Sequence, residues 1–326
     1  MIRVTRLPLH PRPLPYEALS SWVDRLAAAY ELESYEFLRS MLDADPPPDA
    51  VELDGGRRPD LVTAFANRTG VPLARVRAMT LAGYAPELID TTEPSAGLFE
   101  AYACRFGWFM PTTHRTAPRP ESSEPWVPWR ADDLLDVMPR CCPQCLVKDD
   151  VPYVRLHWRL TWMASCPRHG EMLVPLFPWP SLRHLFRERK PNRADPDLLA
   201  LDRVTLGAVT TGAAVLPGGG GVVPGGAWLR ALRTLIDELV RPVTVMGRWA
   251  REEVATAWLH AGSSLNARQG WVRRPYEQLL PEQRLLLLRV AAAAVQNLAA
   301  RRTQQGGATA LRSCLTQWGC AEVCRT

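Results

Sequence analysis

Apolar residues recur at three- and four-residue steps through Leu19, Trp22, Val23, Leu26, Ala29 and Tyr30, and this spacing predicts an amphipathic helix within residues 16–42. A second helical run follows at 35–42. Pro46, Pro47 and Pro48, then Gly55 and Gly56, interrupt the pattern, and Asp60 is placed to cap the next helix. Residues 60–83 meet the spacing of a helix-turn-helix unit: small Ala66 at the helix crossing, Gly70 opening the turn four residues later, and apolar Val76 six further on. Phe65, Val71 and Met79 would close a three-helix core. The run 22–42 follows the same scheme through Leu26, Leu32 and Phe37, with Glu31 where the turn glycine belongs.

Further along, the period changes. The stretch 111–138 is rich in proline and polar residues, holds Trp126 and Trp129, and reads as a linker. Alternation over 153–162 predicts strands joined by a turn near Asp149 and Asp150, and 173–177 predicts another strand, stopped by Pro178 and Pro180. Residues 217–226 (PGGGGVVPGG) read as a flexible joint. Helical patterns return at 228–240, 248–260 and 282–302, the last opened by Pro281. Four prolines in the first fifteen residues predict an extended arm.

Between these runs, Cys142, Cys145, Cys166 and His169 form C-x2-C-x20-C-x2-H. Each short pair can wrap one ion in a knuckle, and the spacer can fold back to bring the two pairs together. Three thiolates and an imidazole fill a tetrahedral zinc shell and leave no position for water or substrate, so the site is expected to hold structure. Pro143 and Pro167 follow the first ligand of each pair, and Gly170 follows His169 where the chain must turn away. Cys141, adjoining the first ligand, reads as a spare or substitute ligand. Cys314, Cys320 and Cys324 lie in the tail with no neighbouring histidine and read as buried thiols rather than a second metal site.

The expected fold is therefore mainly α with a small zinc-ribbon β module. Its parts are an N-terminal helical domain with a helix-turn-helix (1–110), a linker (111–138), the zinc ribbon (139–182), a connecting segment with a glycine-rich joint (183–226) and a basic C-terminal helical domain (227–326).

Composition narrows the function classes. Eight cysteines in 326 residues, with no basic-then-apolar leader, fit a reducing, cytoplasmic setting. The long uncharged stretch from Val204 to Leu229 holds eight glycines and two prolines, so no membrane span is expected. The net charge of +5 is uneven: residues 227–326 carry 14 Arg and Lys against 7 Asp and Glu. Such a tail favours polyanions, or is a solvated arginine-rich helical surface. The candidate contacts to DNA or a partner are Arg68, Arg75 and Arg77 in the helix-turn-helix and Arg273 and Arg274 in the tail. No Asn or Gln stands on the second helix to read adenine, which points to phosphate contact rather than sequence reading. The chain has neither a G-x-x-x-x-G-K-[ST] phosphate loop nor an H-E-x-x-H helix, so no enzyme is expected. An enzymatic reading would rest on Asp132, Asp133, Asp149 and Asp150 as metal-binding acids, and these fall more naturally in a helix cap and a turn.

With these residues in view, the chain resembles the TniQ family of transposon target-selection proteins. Pro13, Glu17, Ser20, Trp22, Arg25 and Leu26 match the family's opening pattern, ANRTGVPLARVRAMTLAGY continues it, and CPQCLVKDDVPYVRLHWRLTWMASCPRHGEMLVPL carries it most specifically. The resemblance covers about residues 1–180. It implies a non-catalytic adaptor linking an AAA+ ATPase regulator of transposition to target DNA or to an RNA-guided CRISPR complex. Apart from the resemblance, a second copy of the chain is a further candidate partner, for the unmatched tail from Ala227. Relatives often follow the histidine with L-x-x-x-C-P-x-C, whereas this chain has LVPLFPWP, with Phe177 and Trp179 in place of a second ligand pair. The competing reading is an autonomous zinc-ribbon and helix-turn-helix transcription regulator.

Overall fold

The computed structural model describes residues 6–44, 50–56, 58–88, 140–175, 186, 189–268, 276 and 279–304. The expected linker, Phe177, Trp179, Asp132, Asp133, Arg273, Arg274 and the three tail cysteines lie outside these residues.

The described chain is mainly helical. Its N-terminal part holds α1 (Leu19–Ala29), α2 (Ser34–Leu42), α3 (Ala50–Gly55), α4 (Pro59–Thr69) and α5 (Leu73–Arg77). Leu19, Trp22, Leu26, Phe37, Leu61, Phe65, Val76 and Met79 are buried together, as their helical spacing requires. Gly70 ends α4 at φ +73°, a left-handed conformation without cost for a residue lacking Cβ, and its N–H donates to the Ala66 carbonyl. Glu31 adopts φ +57° at the equivalent turn between α1 and α2. The side chain that weakened the sequence match therefore does not alter the turn; it imposes strain upon it. Asp60 does not occupy the N-cap of α4. That place is taken by Arg58, Pro59 opens the helix, and Asp60 sits in the first turn, paired with Arg58 at 2.7 Å.

Two short antiparallel ladders frame the cysteine region: β1 (Arg140–Cys141) with β4 (Val174–Pro175), and β2 (Ser165–Cys166) with β3 (Glu171–Met172). Residues 153–162 do not form the expected strands. They run extended to Arg155 and then close a 3-10 turn at Leu156–Arg159, which buries Leu156, Trp158, Leu160 and Trp162 as one apolar wedge. The segment also reaches back to the N-terminal arm. Ala18 N–H donates to Val154 O, Leu156 N–H to Tyr16 O, and Val154 N–H to Ser21 Oγ.

Residues 196–224, read as connecting segment and joint, contain a sixteen-residue helix, α7 (Pro196–Thr211), and a hairpin of β5 (Ala213–Val215) and β6 (Val222–Pro224). The glycines at 218–221 form the turn between these strands, and Gly225 and Gly226 open the next helix, where a joint between domains was expected. α8 (Gly225–Leu239), α9 (Arg248–His260) and α10 (Pro281–Gln304) follow. One continuous apolar cluster runs from Ala18 and Leu81 through Cys141, Trp158 and Trp162 to Leu201, Trp228, Trp258 and Ala291, Ala292 and Ala294 of α10. Among the described residues, no helix is long and apolar enough to cross a membrane.

Candidate metal centre

Cys142 is the N-cap of α6 (Pro143–Lys148), with Pro143 at its first position, and Cys145 lies one turn later on the same helix. The second pair is a turn after β2: the His169 and Gly170 N–H groups both donate to Cys166 O, and Gly170 takes φ +67°. A helix start and a tight turn thus face one another, and the four side chains converge.

Their ligand atoms all lie within 4.8 Å of one another. Cys145 Sγ is 3.7 Å from Cys166 Sγ, and His169 Nδ1 lies 3.3 Å from Cys145 Sγ, 3.4 Å from Cys142 Sγ and 3.7 Å from Cys166 Sγ. Zinc–sulfur bonds of about 2.3 Å and a zinc–nitrogen bond of about 2.0 Å set tetrahedral edges of about 3.8 Å and 3.5 Å. The group therefore fits an ion such as zinc in both size and donor chemistry. Thiols so close together cannot behave alike: Cys145 is pushed up by its hydrogen bonds with Cys142 and Cys166, whereas Cys166 is held well below an ordinary thiol by accepting from them. A cation at the centre would favour the thiolate at all three.

The surroundings brace this geometry. Arg155 places its guanidinium 4.4 Å from the Tyr153 ring centre and 5.0 Å from that of Trp158, pairs with Asp149 at 2.7 Å, and raises the local positive potential felt by Cys145. Asp149 also accepts from Arg168 at 3.0 Å. Asp149 is thereby a brace between two arginines, and Asp150 is exposed. Cys141 does not join the ligand group. It pairs with Val174 across the ladder, and burial pushes its thiol up to about 12, which makes it a core residue rather than a spare ligand.

The arginines expected to meet DNA are engaged inside the chain. Arg68 is half-buried and donates to Met41 O, Arg75 donates to Leu14 O, and Arg77 donates to Ala82 O at 3.4 Å. Arg75 and Arg77 remain exposed, on a five-residue helix.

The sequence pattern did not reveal the buried polar contacts. Asp54 accepts from Ser20 N, Ser20 Oγ and Arg159, and Glu17 pairs with Arg25 at 2.7 Å while accepting from Leu14 N and Ser21 Oγ. Glu17, Ser20 and Arg25 all stand in the family-like opening segment, so that pattern marked the site without stating its chemistry. Asp54 carried no such mark.

Fold and site define a mainly helical protein with a Cys3His cluster suited to hold a metal ion. The TniQ family model matches residues 8–173, and the chain belongs to that family, whose members serve transposition as adaptors. No curated protein and no solved structure matches the chain.

Proposed function

We propose that this protein is a non-catalytic target-selection adaptor of transposition, linking an AAA+ regulator to target DNA or to an RNA-guided targeting complex, in the cytoplasm. The match to the TniQ family over residues 8–173 is the observation that carries this reading. The α4–α5 pair acts as a helix-turn-helix for partner or DNA contact, with Arg75 and Arg77 outermost. The Cys3His group holds zinc as the rigid centre of a ribbon-like module whose strands are only two residues long. A filled four-ligand shell supports a structural rather than a hydrolytic metal, and ATP hydrolysis falls to the partner.

Affinity purification from cells expressing the neighbouring transposon genes tests this reading, with bound proteins and nucleic acids identified together. Recovery of an AAA+ ATPase is the expected result, and co-purified guide RNA would specify the RNA-guided branch. One discrete DNA sequence and no ATPase would favour the autonomous regulator instead.

A further inference from the structure

The exposed side of the metal knuckle carries cations from two directions. Arg168 lies between Cys166 and His169, with its side chain 63% exposed. Residues 189–194 run alongside: Met172 N–H donates to Asn192 O, Ala194 N–H donates to Gly170 O, and Glu171 and Arg193 form a β-bridge. Arg193 Nη1 donates to His169 O at 3.3 Å. Arg189, Lys190 and Arg193 are all exposed on this segment. Arg189, Lys190 and Asn192 line a shallow cleft with Gln144 of α6.

Nearby acids are already engaged. Glu171 is buried, Asp149 is held between Arg155 and Arg168, and Asp195 accepts from Asp197 N and Leu198 N at the start of α7. Arg168 is thus paired with Asp149, whereas Arg189, Lys190 and Arg193 face solvent without an ion pair among the described residues.

We propose that Arg168, Arg189, Lys190 and Arg193 form a phosphate-contacting surface through which the metal knuckle grips the nucleic-acid backbone. Three features favour nucleic acid. Guanidinium forks match phosphate oxygens, and Gln144 and Asn192 add neutral donors beside them. The path from Arg189 to Arg193 spans at most ~14 Å, about four base-pair steps of rise along the axis of B-DNA. Bracing of Arg193 against His169 O fixes the cation row to the metal module rather than to a loose loop. The metal would then orient the contact surface without touching the ligand.

This inference deepens the DNA contact of the adaptor reading and rests on it. The test is binding of the full chain to a mixed-sequence DNA duplex across a salt series. Arg189→Ala with Lys190→Ala leaves the Arg193 and Arg168 bonds in place, and should flatten the log–log salt slope by about 2, at about 0.9 for each phosphate no longer neutralised. Metal content and far-ultraviolet dichroism should stay at the wild-type level. An unchanged slope in this variant would overturn the surface, as would equal displacement of the duplex by polyglutamate, which would assign it to acidic peptides. ATPase capture by the same variant separates the two ideas: retained capture with an unchanged slope removes this surface and leaves the adaptor reading standing. A flattened slope with no ATPase captured even by the wild type removes the adaptor reading and keeps the surface.

Discussion

Arg159 and Asp54 stand 105 positions apart in the chain and meet at 2.6 Å, with side chains 3% and 1% exposed. Ser20 hydrogen-bonds to both of them. The pair ties the N-terminal helices to the segment that links the two metal knuckles, so it couples the two apolar clusters through a buried charge contact.

Removing one partner strands the other in an apolar setting. Asp54→Ala should therefore cost about 3–5 kcal/mol, and Arg159→Met a similar amount. The double variant Asp54→Ala with Arg159→Met should lose less than the sum of the single changes. Equilibrium denaturation of all four chains checks this cycle; strictly additive losses would show that the two residues do not act as a pair.

Metal and fold are expected to leave together. Cys145→Ser or Cys166→Ser should abolish stoichiometric zinc and loosen the 140–175 region, because ligand binding and ordering of such modules are one equilibrium. Metal analysis, with proteolysis as the structural readout, decides the matter. Full zinc retention in both variants would remove these residues from the ligand set.

Asp202 supplies a pH prediction. It is fully buried on α7, accepts from Ser165 N and Oγ and from Ala164 N, and burial pushes its carboxyl up to about 7. A raised carboxyl means that the folded state holds a proton the unfolded chain has released, so the stabilisation is full below about pH 4 and declines up to about pH 7. His157 works in the opposite sense, since burial holds it down to about 3 and stability falls as pH drops below about 6.5. Comparing wild type with Asp202→Asn cancels the histidine. The wild-type stability relative to the variant should decline with rising pH by on the order of 1 kcal/mol per unit across pH 4–7, and a flat difference would refute it.

The two turns of the N-terminal unit should respond oppositely. Gly70→Ala places a Cβ at φ +73° and 2.9 Å from Arg6 Cζ, and should destabilise by about 1–2 kcal/mol. Glu31→Gly relieves the same backbone conformation, offset by about 0.5–1 kcal/mol of chain entropy, and should be neutral to slightly stabilising. Thermal melts of the two variants give the comparison.

How much was legible follows from the range of each signal. Helical periodicity acts over a few residues, so α1, α2, α4, α9 and α10 could be located from Trp22, Phe65, Trp258 and their neighbours. Cys142 to His169 was legible because metal ligation restricts residue type and spacing together. The segment 153–162 misled because alternating apolar residues suit both a strand and an extended run ending in a 3-10 turn; burial of Trp158 and Trp162 against α-helices decided between them. α7 was missed because its apolar residues, from Leu198 to Val209, merge with a glycine-rich stretch that suggested a joint. Asp54 and Arg159 were invisible, since nothing local distinguishes a buried ion pair from two surface charges.

The stitch between the opening arm and the second half of the metal module also sets an order of events at the ribosome. Ser21 receives the Val154 N–H from 133 positions downstream. At about 5–20 residues per second, that partner is synthesised roughly 7–27 s later. The first helices must wait for that interval with Asp54, Ser20 and Ser21 lacking their later partners, so the nascent N-terminal unit is the stage of synthesis at which a chaperone would have most to protect.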